Sequence, residues 1–160
     1  MQMNPKYFFE NFVKPNYDEF CDADGNLRLA FNAVVSLAHM ADNYFNYYKR
    51  RNDVCVALYS DFVDFKTHLS SLSVYYNDIQ SIANAYKHLY TNSGKIYVTI
   101  ESGGAVYVEE AVDDTEGSDD EIEPELTHST NEVYYTRKDG TEIELRQALD
   151  SVMSIWSGIL

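Results

Sequence analysis

Ile82-Ala83-Asn84-Ala85-Tyr86-Lys87-His88 places an amide, an ammonium and an imidazole on what reads as an apolar helix. Asn84 and His88 are four residues apart and share a face, with Lys87 at its border. Polar groups so placed must find buried partners or face a cleft. Ser36, His39 and Asp42 recur every three residues on an earlier helical stretch and lie close to one face of it. If the two helices are neighbours, His39 or Asp42 meets Asn84 or His88. A carboxylate bonded to one imidazole nitrogen fixes its tautomer and raises its pKa. That arrangement suits general acid–base chemistry, with His88, Asn84 and Lys87 as candidate catalytic residues and His39 and Asp42 supporting them. It suits equally a buried hydrogen-bonded pair that pins two helices together.

The elements that must hold these groups follow from apolar spacing. Pro5 to Lys14 reads as a short helix with Tyr7, Phe8, Phe12 and Val13 on one side, stopped by Pro15. Asp22 to Asn26 lacks the later ligands and closing Glu of a calcium loop, and reads as a turn capping the next helix. Leu27, Phe31, Val34, Ala38, Ala41, Phe45 and Tyr48 alternate spacings of four and three, which predicts one continuous helix to Arg51. Leu58, Phe62, Phe65 and Leu69 predict a helix over Val54 to Leu72, and Ile79, Ile82, Ala83 and Tyr86 predict another over Tyr75 to Tyr90.

The period then changes to two. Segments 95–101 and 105–109 around a Ser-Gly-Gly turn predict one hairpin, and 133–137 with 141–144 around Asp139-Gly140 predict a second. Leu145, Leu149, Val152, Met153, Trp156 and Leu160 predict a closing amphipathic helix over 145–159. The expectation is a single α+β domain over 1–160. Its helical part spans 5–91, its antiparallel β-hairpins 95–110 and 132–144, and a mobile acidic loop 111–131 separates the hairpins.

Two stretches together, Ala33-Val34-Val35-Ser36-Leu37-Ala38-His39-Met40-Ala41-Asp42 and Ala83-Asn84-Ala85-Tyr86-Lys87-His88, resemble the HEPN superfamily of prokaryotic helical proteins over roughly residues 27 to 90. Ribonucleases of that superfamily carry an Arg, a polar residue, three variable residues and a His on the later helix. Asn84 takes the polar position and His88 the histidine, but the Arg position is Ala83. The resemblance implies a helical bundle, dimer formation, and in active members a metal-independent endoribonuclease whose His assists attack of a ribose 2′-hydroxyl. An alanine supplies no charge to the reacting phosphate, and losing such a donor costs on the order of a hundredfold or more in rate. The resemblance therefore implies a catalytically degenerate interaction or regulatory protein, of the kind carried by phages, mobile elements or bacterial defence systems.

Charge narrows the partners. The chain has a formal net charge of −14, yet 11 of its 26 acids lie between Glu101 and Glu125, and no Lys or Arg occurs between Lys95 and Arg137. Outside Glu101–Glu125, 15 acids face 12 bases. Such a chain is ill suited to non-specific nucleic-acid binding, although Lys49-Arg50-Arg51 is a local basic patch. Glu109, Glu110, Asp113, Asp114, Asp119, Asp120 and Glu121 are candidates for partner binding, by filling a basic groove in the manner of a nucleic-acid backbone. The plainer reading is a solvated, self-repelling loop.

No cofactor is expected. His39, Asp42 and His88 make an incomplete metal set, and Gly103-Gly104 sits in a hairpin instead of a phosphate loop. His68 and His128 read as surface residues, and no Ser or Cys has the surroundings of a nucleophile. Cys21 and Cys55 leave a single disulfide open but make no secreted framework. With neither a signal-length apolar run nor a membrane span, a soluble cytoplasmic protein is expected, with itself or another protein as partner.

Overall fold

The structure, a computed structural model, describes residues 3–23, 25–88, 106–108 and 132–160. Its first helical stretch does not stop at Pro15. Helix α1 (Pro5–Phe8), capped by the Asn4 side chain on the Tyr7 N–H, runs into a π-helical turn (Phe9–Val13) and on into α2 (Lys14–Asp22). Proline lacks the N–H and clashes with the carbonyl four residues back. The wider turn, with the Lys14 N–H reaching back to the Phe9 carbonyl, lets the chain carry Pro15 at the start of α2.

Asn26 caps α3 (Leu27–Ala38), its side-chain oxygen accepting from the Arg28 and Leu29 N–H groups. The expected single spine is divided at His39, and α4 (Met40–Lys49) continues from it. The apolar seam is buried from Val34 through Phe45, while its first members, Leu27 and Phe31, are exposed. After α4, Asn52 takes a positive φ of 52° and breaks the helical course. The expected helix over Val54 to Leu72 is shorter than its spacing implies. A 3-10 turn (Val54–Val56) stands apart from α5 (Phe62–Leu72), whose start is set by Asp61 accepting from the Asp64 N–H. Leu58 therefore lies in the connection and points outward.

Helix α6 (Tyr76–His88) follows a tight link in which Ser73 Oγ accepts from the Tyr75 N–H. Strands β1 (Tyr107–Val108), β2 (Val133–Thr136) and β3 (Glu142–Glu144) form an antiparallel sheet in that order. Tyr107 faces Tyr134 across β1 and β2, and Tyr135 faces Ile143 across β2 and β3. The second expected hairpin is present, turning at Gly140 with its φ of +86°. The partner strand expected for β1, over 95–101, lies outside the described residues, as does the acidic loop 111–131.

Helix α7 (Leu145–Ile159) joins the parts, packing on α3 and α6 as well as on β2 and β3. Its Leu145, Ala148, Leu149, Val152, Met153 and Trp156 enter one apolar cluster with side chains from the other helices and the sheet. The fold is thus mostly helical α+β. No described helix is long and apolar enough to cross a membrane.

The core is bordered by phenols. Burial raises the pKa of Tyr17, Tyr44, Tyr76 and Tyr135 well above the usual tyrosine value. For an acid whose folded pKa is raised, the stabilisation is complete below the unfolded pKa of about 10 and is lost as pH rises beyond it. Chemical-denaturation midpoints should accordingly hold steady up to about pH 10 and fall above it. The fall should coincide with the rise of phenolate absorbance. A flat profile through that range would show these phenols ionising equally in both states.

Candidate functional site

The sequence places Asn84, Lys87 and His88 on one helix and His39 and Asp42 on another, and α6 does pack on α3, the first part of that second helix. Their register separates the candidates. The Gln80 amide donates to the Ala38 carbonyl at 3.0 Å, and the Phe31 and Tyr86 rings meet in a T-shaped contact with centroids 4.9 Å apart. Helix α6 thus runs antiparallel to α3, with its first turn beside the start of α4. The charge on Asp42 accordingly adds to burial in raising the Tyr76 phenol. From Tyr76 to His88 the helix rises about 18 Å. The level of His88 is therefore the start of α3, far from His39 and Asp42.

His39 and Asp42 are exposed, and so are Asn84 and Lys87. His88 belongs to α6 by its backbone; its side chain lies outside the described parts. Ser36, expected on the polar strip, is buried and donates back to the Asn32 and Ala33 carbonyls, so it satisfies itself within its own helix. Asn84 lines a groove of about 350 Å³ between α5 and α6, beside Lys66, Thr67, Ser70, Asn77 and Gln80. Ser70 Oγ there bonds Asn77 Oδ1 at 2.9 Å. The groove's described lining has amides, hydroxyls and one ammonium, with no carboxylate, imidazole or thiol to move a proton.

A different polar constellation is buried. Asp78, 2% exposed, receives Tyr135 Oη at 2.7 Å, Arg137 Nε at 2.9 Å and Arg137 Nη2 at 2.6 Å. Arg137 Nη2 also reaches the Val74 carbonyl, and the guanidinium lies 5.6 Å from the centroid of the Tyr75 ring. The hydrogen bond to Asp78 raises the Arg137 pKa further. Desolvation, and then the bond to Asp78, raises that of Tyr135. This cluster fastens α6 to β2 and to the residue that follows it. Sequence reasoning missed it, although Asp78 is the one acid in α6 and falls beside the apolar positions Ile79 and Ile82.

Among the described residues no three His, Cys, Asp or Glu side chains converge as metal ligands. Cys21 and Cys55 are not joined by a disulfide. His68 is exposed, with its ring 5.5 Å from that of Tyr59. The partner-binding candidates Glu109, Glu110, Asp113, Asp114, Asp119, Asp120 and Glu121 lie outside the described residues, as does His128.

The segment around α5 shows an unexpected apolar surface. Val54, Leu58 and Val63 are 83%, 91% and 65% exposed, and Leu72 and Val74 are 50% and 73% exposed. Comparison with protein families, with characterised proteins and with solved structures finds no match to this chain.

Proposed function

We propose that this chain is a non-catalytic interaction protein of HEPN-like helical type that works as a homodimer through the segment 54–74. The observation that carries the reading is the concentration of large exposed apolar side chains there. Exposed apolar patches in water-facing proteins mark contact surfaces. A second copy is the fitting occupant because an isologous contact lets the exposed apolar side chains of one copy cover the same side chains of the other. The segment contributes little repulsion, with Asp61 and Asp64 against Lys66, and the chain's main acidity lies elsewhere. Asp61 and Asp64 are moreover engaged in capping α5 and holding Ser60. The helical body supports the reading, and so does the distance that keeps His39 and Asp42 from the far end of α6.

Sedimentation of the full chain at rising concentration should show a monomer–dimer equilibrium. The double substitution Leu58→Asp and Val63→Asp should leave the circular dichroism unchanged and shift the protein to monomer, weakening association at least about a hundredfold. A wild-type chain that stays monomeric throughout would overturn the dimer. Pure protein should leave RNA intact; metal-independent cleavage that disappears in Asn84→Ala would establish the ribonuclease instead.

A further inference from the structure

A groove between the first helical stretch, α1 to α2, and the last helix α7 shares no described residue with the segment 54–74. It holds about 490 Å³, within the range of ligand sites. Phe9 and Met153, both buried, give it an apolar floor. One wall carries Lys6, Glu10, Lys14 and Asp18, and the other carries Asp150, Ser154 and Ser157. Tyr17 Oη donates to Asp150 Oδ1 at 2.6 Å and joins the two walls at one end. Lys6 and Leu160 line the same groove, so α7 runs back along the first stretch. The groove accordingly has an end formed by Tyr17, Asp18 and Asp150 and an end formed by Lys6, Ser157 and Leu160.

The charges of the first wall alternate in sign at intervals of four residues. In a regular α-helix that spacing lets each charge pair with the next. Lys6, Glu10, Lys14 and Asp18 nevertheless form no ion pair with one another or with any other described residue. The π turn Phe9–Val13 takes Lys6, Glu10 and Lys14 out of the four-residue register, because its bonds span five residues. From the Asp18 end the wall therefore offers an acceptor, a donor, an acceptor and a donor. Twelve residues at the helical rise make it about 18 Å long.

We propose that this groove binds a short extended peptide with free termini, its ammonium at Asp18 and Asp150 and its carboxylate at Lys6. Five extended residues at about 3.3 Å each match the length of the wall. Read from its amino end, such a peptide presents an ammonium, then carbonyls and N–H groups, then a carboxylate. Lys14 donates to a carbonyl of that backbone and Glu10 accepts from an N–H, so the order of the wall follows the order of the ligand. Ser154 and Ser157 add hydroxyls from the facing side. Side chains of an extended chain alternate in direction, so every second one meets Phe9 or Met153 and is apolar. A polyamine fits worse because Lys6 and Lys14 repel it, and a polyanion fits worse because three carboxylates do.

Equilibrium dialysis of the full chain against the pentapeptide alanyl-leucyl-alanyl-leucyl-alanine tests the proposal, with its N-acetyl form, its C-terminal amide, free leucine and spermidine alongside. The unblocked peptide should bind, and blocking either end should weaken it about tenfold or more. Leucine alone should bind more weakly than the pentapeptide. Lys6→Ala should shrink the difference between the acid and the amide, and Asp18→Asn that between the free and the acetylated amine. Both positions are exposed, so circular dichroism should not change. The proposal is overturned if the free peptide shows no binding at about 1 mM, if either blocked form or leucine binds as tightly, or if either variant binds like wild type. Tighter binding of spermidine than of the peptide would likewise overturn it in favour of a cation site.

Discussion

Replacing Arg137 by Met should destabilise the fold by about 3–5 kcal/mol, read from the midpoint of urea unfolding at unchanged slope. The reason is the carboxylate that stays behind. Asp78 is 2% exposed and takes two of its bonds from Arg137, so the substitution leaves a buried negative charge whose remaining bond among the described residues is that from Tyr135. Arg137 itself is 27% exposed, and water reaching the site places the loss towards the lower end of that range. The complementary change, Asp78→Leu, should cost less, because the arginine can swing towards solvent. Joined in one chain, the two substitutions should be less harmful than the sum of the singles, since neither charge is then stranded. A loss below about 1 kcal/mol for Arg137→Met would show that the pair does not fasten α6 to the strand. That fastening joins a helix of the bundle to the sheet, alongside the packing of α7 on β2 and β3.

Trp156→Ala should cost about 3–5 kcal/mol and leave little of the cooperative transition, because a domain's whole stability is only about 5–15 kcal/mol. Trp156 is fully buried on α7, with its ring 5.7 Å from Tyr44 and 6.5 Å from Phe65 by centroids. It stands where α7 meets the α4 and α5 layer, so an alanine opens a cavity between elements brought together only by packing. Trp156→Phe should be far milder. It keeps an aromatic ring against Tyr44 and Phe65, and the indole N–H it removes has no hydrogen-bond partner among the described residues. Equal losses in the two variants would assign the cost to the fit of the larger indole instead of to the ring packing that phenylalanine keeps. Thermal and urea unfolding of both variants decides between them.

Much of the secondary structure was legible because its causes are short-ranged. The seam from Val34 to Phe45, the stripe of Leu145, Leu149, Val152 and Trp156, and the hairpin turning at Gly140 follow from spacing and turn chemistry. Errors arose where a local device outweighed the period. Pro15 reads as a stop, yet one widened turn carries the helix past it. Leu58 fits the apolar spacing of the next helix, but the Asp61 cap starts that helix later and leaves Leu58 outside. The residues of the groove beside α7 and of the α5–α6 groove were each visible by type, but which of them share a groove was not.

By itself, the sequence determined the elements and the uneven charge: helices and strands from apolar period, caps from Asn26 and Asp61, and acidity concentrated in Glu101–Glu125. Only the tertiary structure decided which polar groups meet. An amphipathic face states that a helix will be covered, while direction and register depend on side chains interlocking across distant segments. The antiparallel seating of α6 on α3 parts His39 and Asp42 from the His88 end, and the same packing brings Asp78 to Arg137 across 59 residues of chain.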